Sequence, residues 1–282
     1  MTPKVTLKTT LKAAVFDWAG TMIDFGSLAP MGAVVRAFAQ FDIPLTIVQA
    51  RGPMGLPKRD HIAALMALPE VAAAWTQRYG RDPGEADIDR VYEVFVPMNV
   101  AAVTDHADLV PGAAAVVAML RERGLRIGST TGYTREIMAR VLPLAAAAGY
   151  SPDNLVCAGD LAEGRPGPLM MYRTFADLGV HPPSAVVKVD DTWPGIAEGI
   201  AAGTWTVGVT ASGNEVGLSH PAWLALSDEA KAAAIARAGE VLTRAGAHYL
   251  IDTVADLPAV IDDIERRLAA GERPVAGDVI LN

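Results

Sequence analysis

The sequence is poor in cysteine, in basic runs and in long apolar runs, and each scarcity removes a class of function. One cysteine, Cys157, among 282 residues excludes an internal disulfide and a cysteine-ligated zinc site, in keeping with a reducing compartment. Its ordinary place is that of a small buried hydrophobe in a strand. Lys and Arg number 24 against 32 Asp and Glu, for a net charge of −8. No Lys/Arg-rich run is present to track a phosphate backbone, so nucleic acid is not an expected partner. Apolar stretches such as residues 141–148 are too short to cross a bilayer, and residues 1–12 lack the apolar centre of a signal peptide. The expectation is a soluble, cytoplasmic protein without a membrane partner.

What the sequence does have is a hydrophobic content of 51%, enough to bury a sizeable core in one large domain or two unequal ones. Residues 12–17 (KAAVFD) form a short apolar run that ends in an acid shortly before Gly20, the pattern of a buried strand running into a loop. Asp17 then stands at the strand's carboxyl end. From 30 to 102 the apolar spacing in MGAVVRAFAQF, KRDHIAALMAL and DIDRVYEVFVPMNVAAV is helical, which predicts an all-helical insertion.

Pro111 stands where it can begin a helix at the favoured first position, and Gly124 where it can stop one. Strands are then expected at 125–129, 155–158, 185–190, 205–209 and 248–251. Helices are expected at 134–148, 168–178, 196–202, 228–244 and 254–268, and the tail after Gly271 should fray. Such alternation predicts an α/β fold, a doubly wound, Rossmann-like parallel sheet with helices on both faces. In that class ligands bind outside the carboxyl ends of the strands.

Four strand ends bring polar groups to that crevice: Asp17, then Ser129 to Gly132 (STTG), then Arg165, then Asp190 with Asp191. Asp17 and Asp191 can supply hard oxygen ligands to Mg²⁺, which prefers one or two carboxylates plus water and substrate oxygens. Thr131 and the Gly132 amide can donate to phosphate oxygens, and Arg165 adds a permanent positive charge. Taken singly, an Asp at a strand end is often a helix N-cap and a lone Arg a surface residue. In this order, each at a strand end, the set reads as a phosphate and metal site with Asp17 as phosphoryl acceptor.

These residues resemble the haloacid-dehalogenase-like phosphotransferase superfamily, whose signature opens with a strand ending Asp-x-x-Gly-Thr, here FDWAGTM from Phe16 to Met22. Thr131, Arg165 and the Asp190-Asp191 pair match its later signatures. The resemblance covers the whole chain and recasts the helical insertion, residues 27–106, as a mobile cap. The core would then comprise residues 1–26 and 107–282, with hinges near 24–27 and 104–109. Phosphatases and mutases of the superfamily carry a second Asp two residues after the nucleophile, which protonates the leaving oxygen; this chain has Ala19, so a leaving group other than oxygen is expected.

In PMGLPKRDHIAAL, Lys58 opens a helix with His61 one turn later on the same face. An amine beside a cation and a low-dielectric interface loses its proton near neutral pH and condenses with an aldehyde. FDWAGT with Ala19, Met54-Gly55 with Lys58 and His61, and STTGYTRE from Ser129 to Glu136 together resemble the phosphonoacetaldehyde hydrolase, or phosphonatase, family. The resemblance implies a Schiff base at Lys58, attack of Asp17 on phosphorus, and products acetaldehyde and phosphate, in 2-aminoethylphosphonate degradation. It implies Mg²⁺ on the side chains of Asp17 and Asp191 and the carbonyl of Ala19. Thr131, Gly132 and Arg165 would bind phosphoryl oxygens; Met54, Tyr133 and His61 would surround the imine, with His61 the proton shuttle.

Where some relatives carry a further Asp, this chain has Gly195, with Asp190 the substitute, and Ser27 replaces a Cys found in others. A homodimer through the caps is also implied. Two other readings stay open: a phosphate-ester phosphatase or phosphomutase with Lys58 only electrostatic, and a catalytically silent binding protein on the same fold. His106, Trp18 and Trp193 read as packing residues, and residues 211–244 offer no chemical role.

Overall fold

The structure, a computed structural model, describes residues 10–275. The residues read for a signal peptide, except 10–12, and the part beyond 275 of the tail expected to fray lie outside the described residues. Six strands, β1 (Ala13–Phe16), β2 (Arg126–Thr131), β3 (Val156–Cys157), β4 (Val186–Asp190), β5 (Trp205–Val209) and β6 (Tyr249–Ile251), make one sheet in the order β3-β2-β1-β4-β5-β6. Every pair is parallel. The central strands are buried along their whole length because helices cover both faces. The chain leaves β1 in one direction to β2 and β3, then returns to its other side for β4, so the switch point lies at β1. A crevice opens there, outside the carboxyl ends of the strands.

Register sets who meets in the crevice. Phe16 pairs with Ser129 on one side and Val189 on the other, so the next residue, Asp17, falls between Thr130 and Asp190. Its amide donates to the Val189 carbonyl at 3.0 Å.

After β1 the chain first makes five helices, α1 (Leu28–Ala39), α2 (Ile47–Arg51), α3 (Lys58–Met66), α4 (Pro69–Tyr79) and α5 (Glu85–Val103). They enclose an apolar cluster of their own, with Phe38, Leu65, Trp75, Val91 and Phe95 at its centre. The core cluster under the sheet is separate and includes Phe16, Ile127, Val187, Val207 and Ile264. The first crossing between the two units has positive φ at Asp24, Gly26 and Ser27 (53°, 90° and 51°), a bend that the backbone makes without regular structure.

The other helices are α6 (Ala113–Glu122), α7 (Arg135–Ala147), α8 (Leu169–Leu178), α9 (Trp193–Ala202), α10 (His220–Leu224), α11 (Asp228–Arg244) and α12 (Leu257–Ala269). Pro111 does not begin a helix. Gly112 follows it at φ 88° against Ala255, and α6 starts at Ala113. Helix α9 starts at Trp193 instead of 196, because the Thr192 side chain accepts the Gly195 amide and Pro194 fits the first turn. Helix α10 was not expected from the sequence. Among the described residues no helix is long and apolar enough to cross a membrane.

Candidate active site

A small, tightly closed cavity lies between the strand ends and the helical insertion. Its wall brings together Asp17, Ala19, Thr131, Gly132, Tyr133 and Arg165 from the sheet side with Met54, Gly55 and Lys58 from the insertion. Ser27 and Thr192 also line it. The insertion approaches very closely at Gly55, where φ is +92° and a Cβ would stand 2.3 Å from Thr192 Oγ1. His61 lies behind Lys58 in α3, buried, outside the wall itself.

On the sheet side, Arg165 is the hub. Its Nη1 meets Asp17 Oδ1 at 2.8 Å, Nη2 meets Asp190 Oδ2 at 3.3 Å, and Nε meets Glu198 Oε2 at 3.1 Å. Nη2 also donates to the Thr130 carbonyl at 2.7 Å. Lys188 points into the same network, 3.0 Å from Asp190 and 3.3 Å from Glu198, and donates to Thr130 Oγ1 at 2.7 Å. All of these side chains are buried. Buried ions persist only when paired and hydrogen-bonded, and here the pairing fixes the guanidinium edge that faces Asp17.

The carboxylates divide into two kinds. Burial alone would raise the Asp190 carboxyl, but Arg165 and Lys188 hold it below the usual carboxylate range. Asp17 is pushed up to about 6 by burial and by the charge of Asp190, only partly offset by Arg165 and Lys188. Asp191 is pushed well above its ordinary value by burial and by Asp17 and Asp190, although Asn214 N–H (2.8 Å) and Thr21 Oγ1 (3.1 Å) donate to it.

Asp17, Asp190 and Asp191 each bring an oxygen within 4.8 Å of the others. Counting Glu198, four buried carboxylates share the sheet side with two buried cations, Arg165 and Lys188, so ionising all four leaves two negative charges unpaired there, with the Lys58 ammonium facing them from the insertion. Hard oxygens short of positive charge at Asp17 and Asp191 fit a hard divalent cation. The acidic cluster can therefore hold a metal ion.

Asp190 also explains Gly195. A Cβ at 195 would lie 1.9 Å from Asp190 Oδ2, so the Asp190 carboxylate fills the space that a side chain at 195 would take. Its Oδ1 accepts from the Thr192 amide (3.0 Å) and hydroxyl (2.7 Å).

On the insertion side, Lys58 Nζ donates to Met54 Sδ at 3.5 Å and sits 5.4 Å from the centroid of the Tyr133 ring. Burial lowers the ammonium to about 8; Arg165 works in the same direction, and Asp17 and Asp191 oppose it. His61 is lowered to about 3 by burial and by Lys58. Its Nε2 donates to the Ala50 carbonyl at 2.8 Å, so the ring is neutral and Nδ1 carries the lone pair.

Trp18 packs away from the cavity on Tyr150 and donates to Ser129 Oγ. Trp193 lies outside the cavity wall. His106 faces Asp24 at 3.3 Å across the two crossings, and that pairing raises its pKa.

Sequence reasoning passed over Lys188, Glu198, Arg51 and Asn214. Lys188 carried a signal: a lysine inside the apolar strand VVKVD must be buried and so must have partners. Glu198, Arg51 and Asn214 carried none, since each acquires its role from residues far away in the chain.

Residues 11–203 match the family model described as haloacid dehalogenase-like hydrolase. The chain is 58% identical over 264 residues to the phosphonoacetaldehyde hydrolase of Paraburkholderia xenovorans, covering 94% of this chain and 99% of that one. It is 50% identical over 268 residues to the phosphonoacetaldehyde hydrolase of Aeromonas hydrophila, covering 94% and 96%. The crystal structure of a phosphonoacetaldehyde hydrolase-like protein from Oleispira antarctica superposes with a TM-score of 0.94 at 43% identity, over 97% of this chain and 99% of that one. With such identity along nearly the whole of both chains, the protein belongs to the phosphonoacetaldehyde hydrolase family of the haloacid dehalogenase-like hydrolases.

Proposed function

We propose that the protein hydrolyses the carbon–phosphorus bond of phosphonoacetaldehyde to acetaldehyde and phosphate. One observation carries the reading. A buried lysine, its ammonium lowered to about 8, faces the same small cavity as Asp17, and the wall carries Ala19 where an ester phosphatase needs an acid.

The neutral Lys58 amine adds to the aldehyde carbon, and loss of water leaves a protonated imine. Asp17 then attacks phosphorus. The electrons of the carbon–phosphorus bond flow into the iminium and give an enamine, while the phosphoryl group passes to the Asp17 carboxylate. Thr131, the Gly132 amide and Arg165 receive the phosphoryl oxygens. Water releases phosphate from Asp17; protonation and hydrolysis of the enamine release acetaldehyde and return Lys58. His61 moves the protons through Nδ1, because Nε2 is committed to Ala50.

Mg²⁺ held by the side chains of Asp17 and Asp191 and the carbonyl of Ala19 would neutralise the excess charge and polarise the phosphoryl group. Residues 27–106 act as a cap that closes over the cavity, on a core made of residues 1–26 and 107–282, and two copies pair through their caps. The setting is cytoplasmic.

The test is phosphate release from phosphonoacetaldehyde and from a simple phosphate ester, with and without Mg²⁺, followed by borohydride treatment. Release from the phosphonate alone, dependent on Mg²⁺, with Lys58 alkylated in the peptide map, is the expected result. Release from the ester alone, or full activity of Lys58→Arg, would overturn the reading.

A further inference from the structure

Arg51 ends α2, on the insertion, yet its guanidinium is spent on oxygens across the gap. Nη1 donates to the Gly26 carbonyl (3.1 Å), the Asn214 carbonyl (2.9 Å) and Asn214 Oδ1 (3.2 Å), and Nη2 donates to the Gly217 carbonyl (2.9 Å). Asn214 Nδ2 donates in return to the Arg51 carbonyl at 3.3 Å. One side chain thus ties α2 both to the first crossing and to the loop after β5. Charge-assisted bonds of this kind belong to the strong class.

The far face of that loop rests on the reacting groups. The Asn214 amide donates to Asp191 Oδ2 at 2.8 Å, and a Cβ at Gly213 would stand 2.8 Å from Asp191 Cβ. The near face is shaped to Arg51: Gly217 has φ +63°, and a Cβ there would stand 2.2 Å from Arg51 Cζ. The Gly26 amide, beside the carbonyl that Arg51 takes, donates to the Ser212 carbonyl at 2.7 Å. Residues 212–217 are therefore held between Arg51 on one side and Asp191 on the other.

We infer that Arg51 is a positioning residue for the reaction, a latch that holds the helical insertion closed on the 212–217 loop and through it keeps the Asn214 amide on Asp191. The inference rests on the reading of the insertion as a cap that opens. It gives the start of the segment after β5 a role that its sequence did not disclose. In the latched state Lys58 is shut in, 5% exposed; with the latch broken, small reagents reach it more often.

Two readouts test this in Arg51→Met, which keeps the aliphatic stem and removes the donors. Reductive methylation of Lys58 by formaldehyde and cyanoborohydride, followed by peptide mass spectrometry, should quicken severalfold. With phosphonoacetaldehyde, kcat should fall by about tenfold or more, the scale of losing charged hydrogen bonds, and Arg51→Lys should recover part of it. Gly217→Ala, which drives a methyl into the guanidinium, should reproduce both effects, and the double variant should be no worse than Arg51→Met. The methylation arm needs no turnover, so it decides the latch even if the substrate is another. Unchanged Lys58 methylation in both single variants, a wild-type kcat in Arg51→Met, or additive losses in the double variant would overturn it.

Discussion

At the scale of the residue, the chemistry turns on where protons sit. Lys58 finds a thioether and a ring for company and, among the described residues, no carboxylate close enough to pair with, so burial dominates and the ammonium drops from its ordinary 10.5 to about 8. Imine formation needs the neutral amine, whose fraction rises tenfold per pH unit until the pKa is passed. The rate of Lys58 capture by the aldehyde should therefore rise with unit slope through neutral pH and level off above about 8. Stopped-flow capture across pH 6–9 reads this directly; a flat profile would show that the amine does not set the rate. The linkage sign follows. Between about 8 and the unfolded value of 10.5 the unfolded chain binds the extra proton, so this group's contribution to stability grows as pH rises through that window.

At the scale of the element, what was legible in the sequence is what short-range pattern controls. An apolar run ending in an acid locates β1 and Asp17, and the helical spacing from 30 to 102 anticipates α1 to α5. Thr131, Gly132, Arg165 and Asp191 could be assembled because the parallel sheet sends successive strand ends to one crevice. The misjudged boundaries have local causes: Gly112 in the left-handed region displaces the start expected at Pro111, and the Thr192 cap extends α9 backward. Glu198 and Asn214 were illegible, since their partners lie tens of residues or more away in sequence. Helix α2 is a different case, a capped turn too short to bury much of itself, leaving Ile47 47% and Val48 82% exposed beside the apolar groove of Pro53, Leu56 and Leu68. If the caps pair, this is the apolar surface they have to cover. Light scattering should give twice the chain mass for the wild type and the monomer mass for Val48→Asp; a monomeric wild type, or a dimeric variant, would remove the caps from the interface.

At the scale of the whole molecule, the fold stores unfavourable charge at one place and leaves it to be relieved. Asp17 binds its proton more tightly in the folded chain, at about 6 against an ordinary 3.8, and Asp191 shifts the same way. Native protein thus holds more protons than unfolded chain between about 4 and 6, and in the absence of a cation stability should fall as pH rises through that window. A divalent cation competes with those protons and binds the native state alone, so it should stabilise more at pH 8 than at pH 5. At a concentration near 100 times its dissociation constant the gain is about 2.7 kcal/mol, a rise of several degrees in the unfolding midpoint for a chain of this size. Thermal unfolding with EDTA and with excess Mg²⁺ at both pH values measures it. Asp191→Asn should abolish the difference, because it removes one of the two carboxylates that carry the excess charge. A Mg²⁺ shift of equal size at both pH values, or one that survives in Asp191→Asn, would place the cation somewhere other than this cluster.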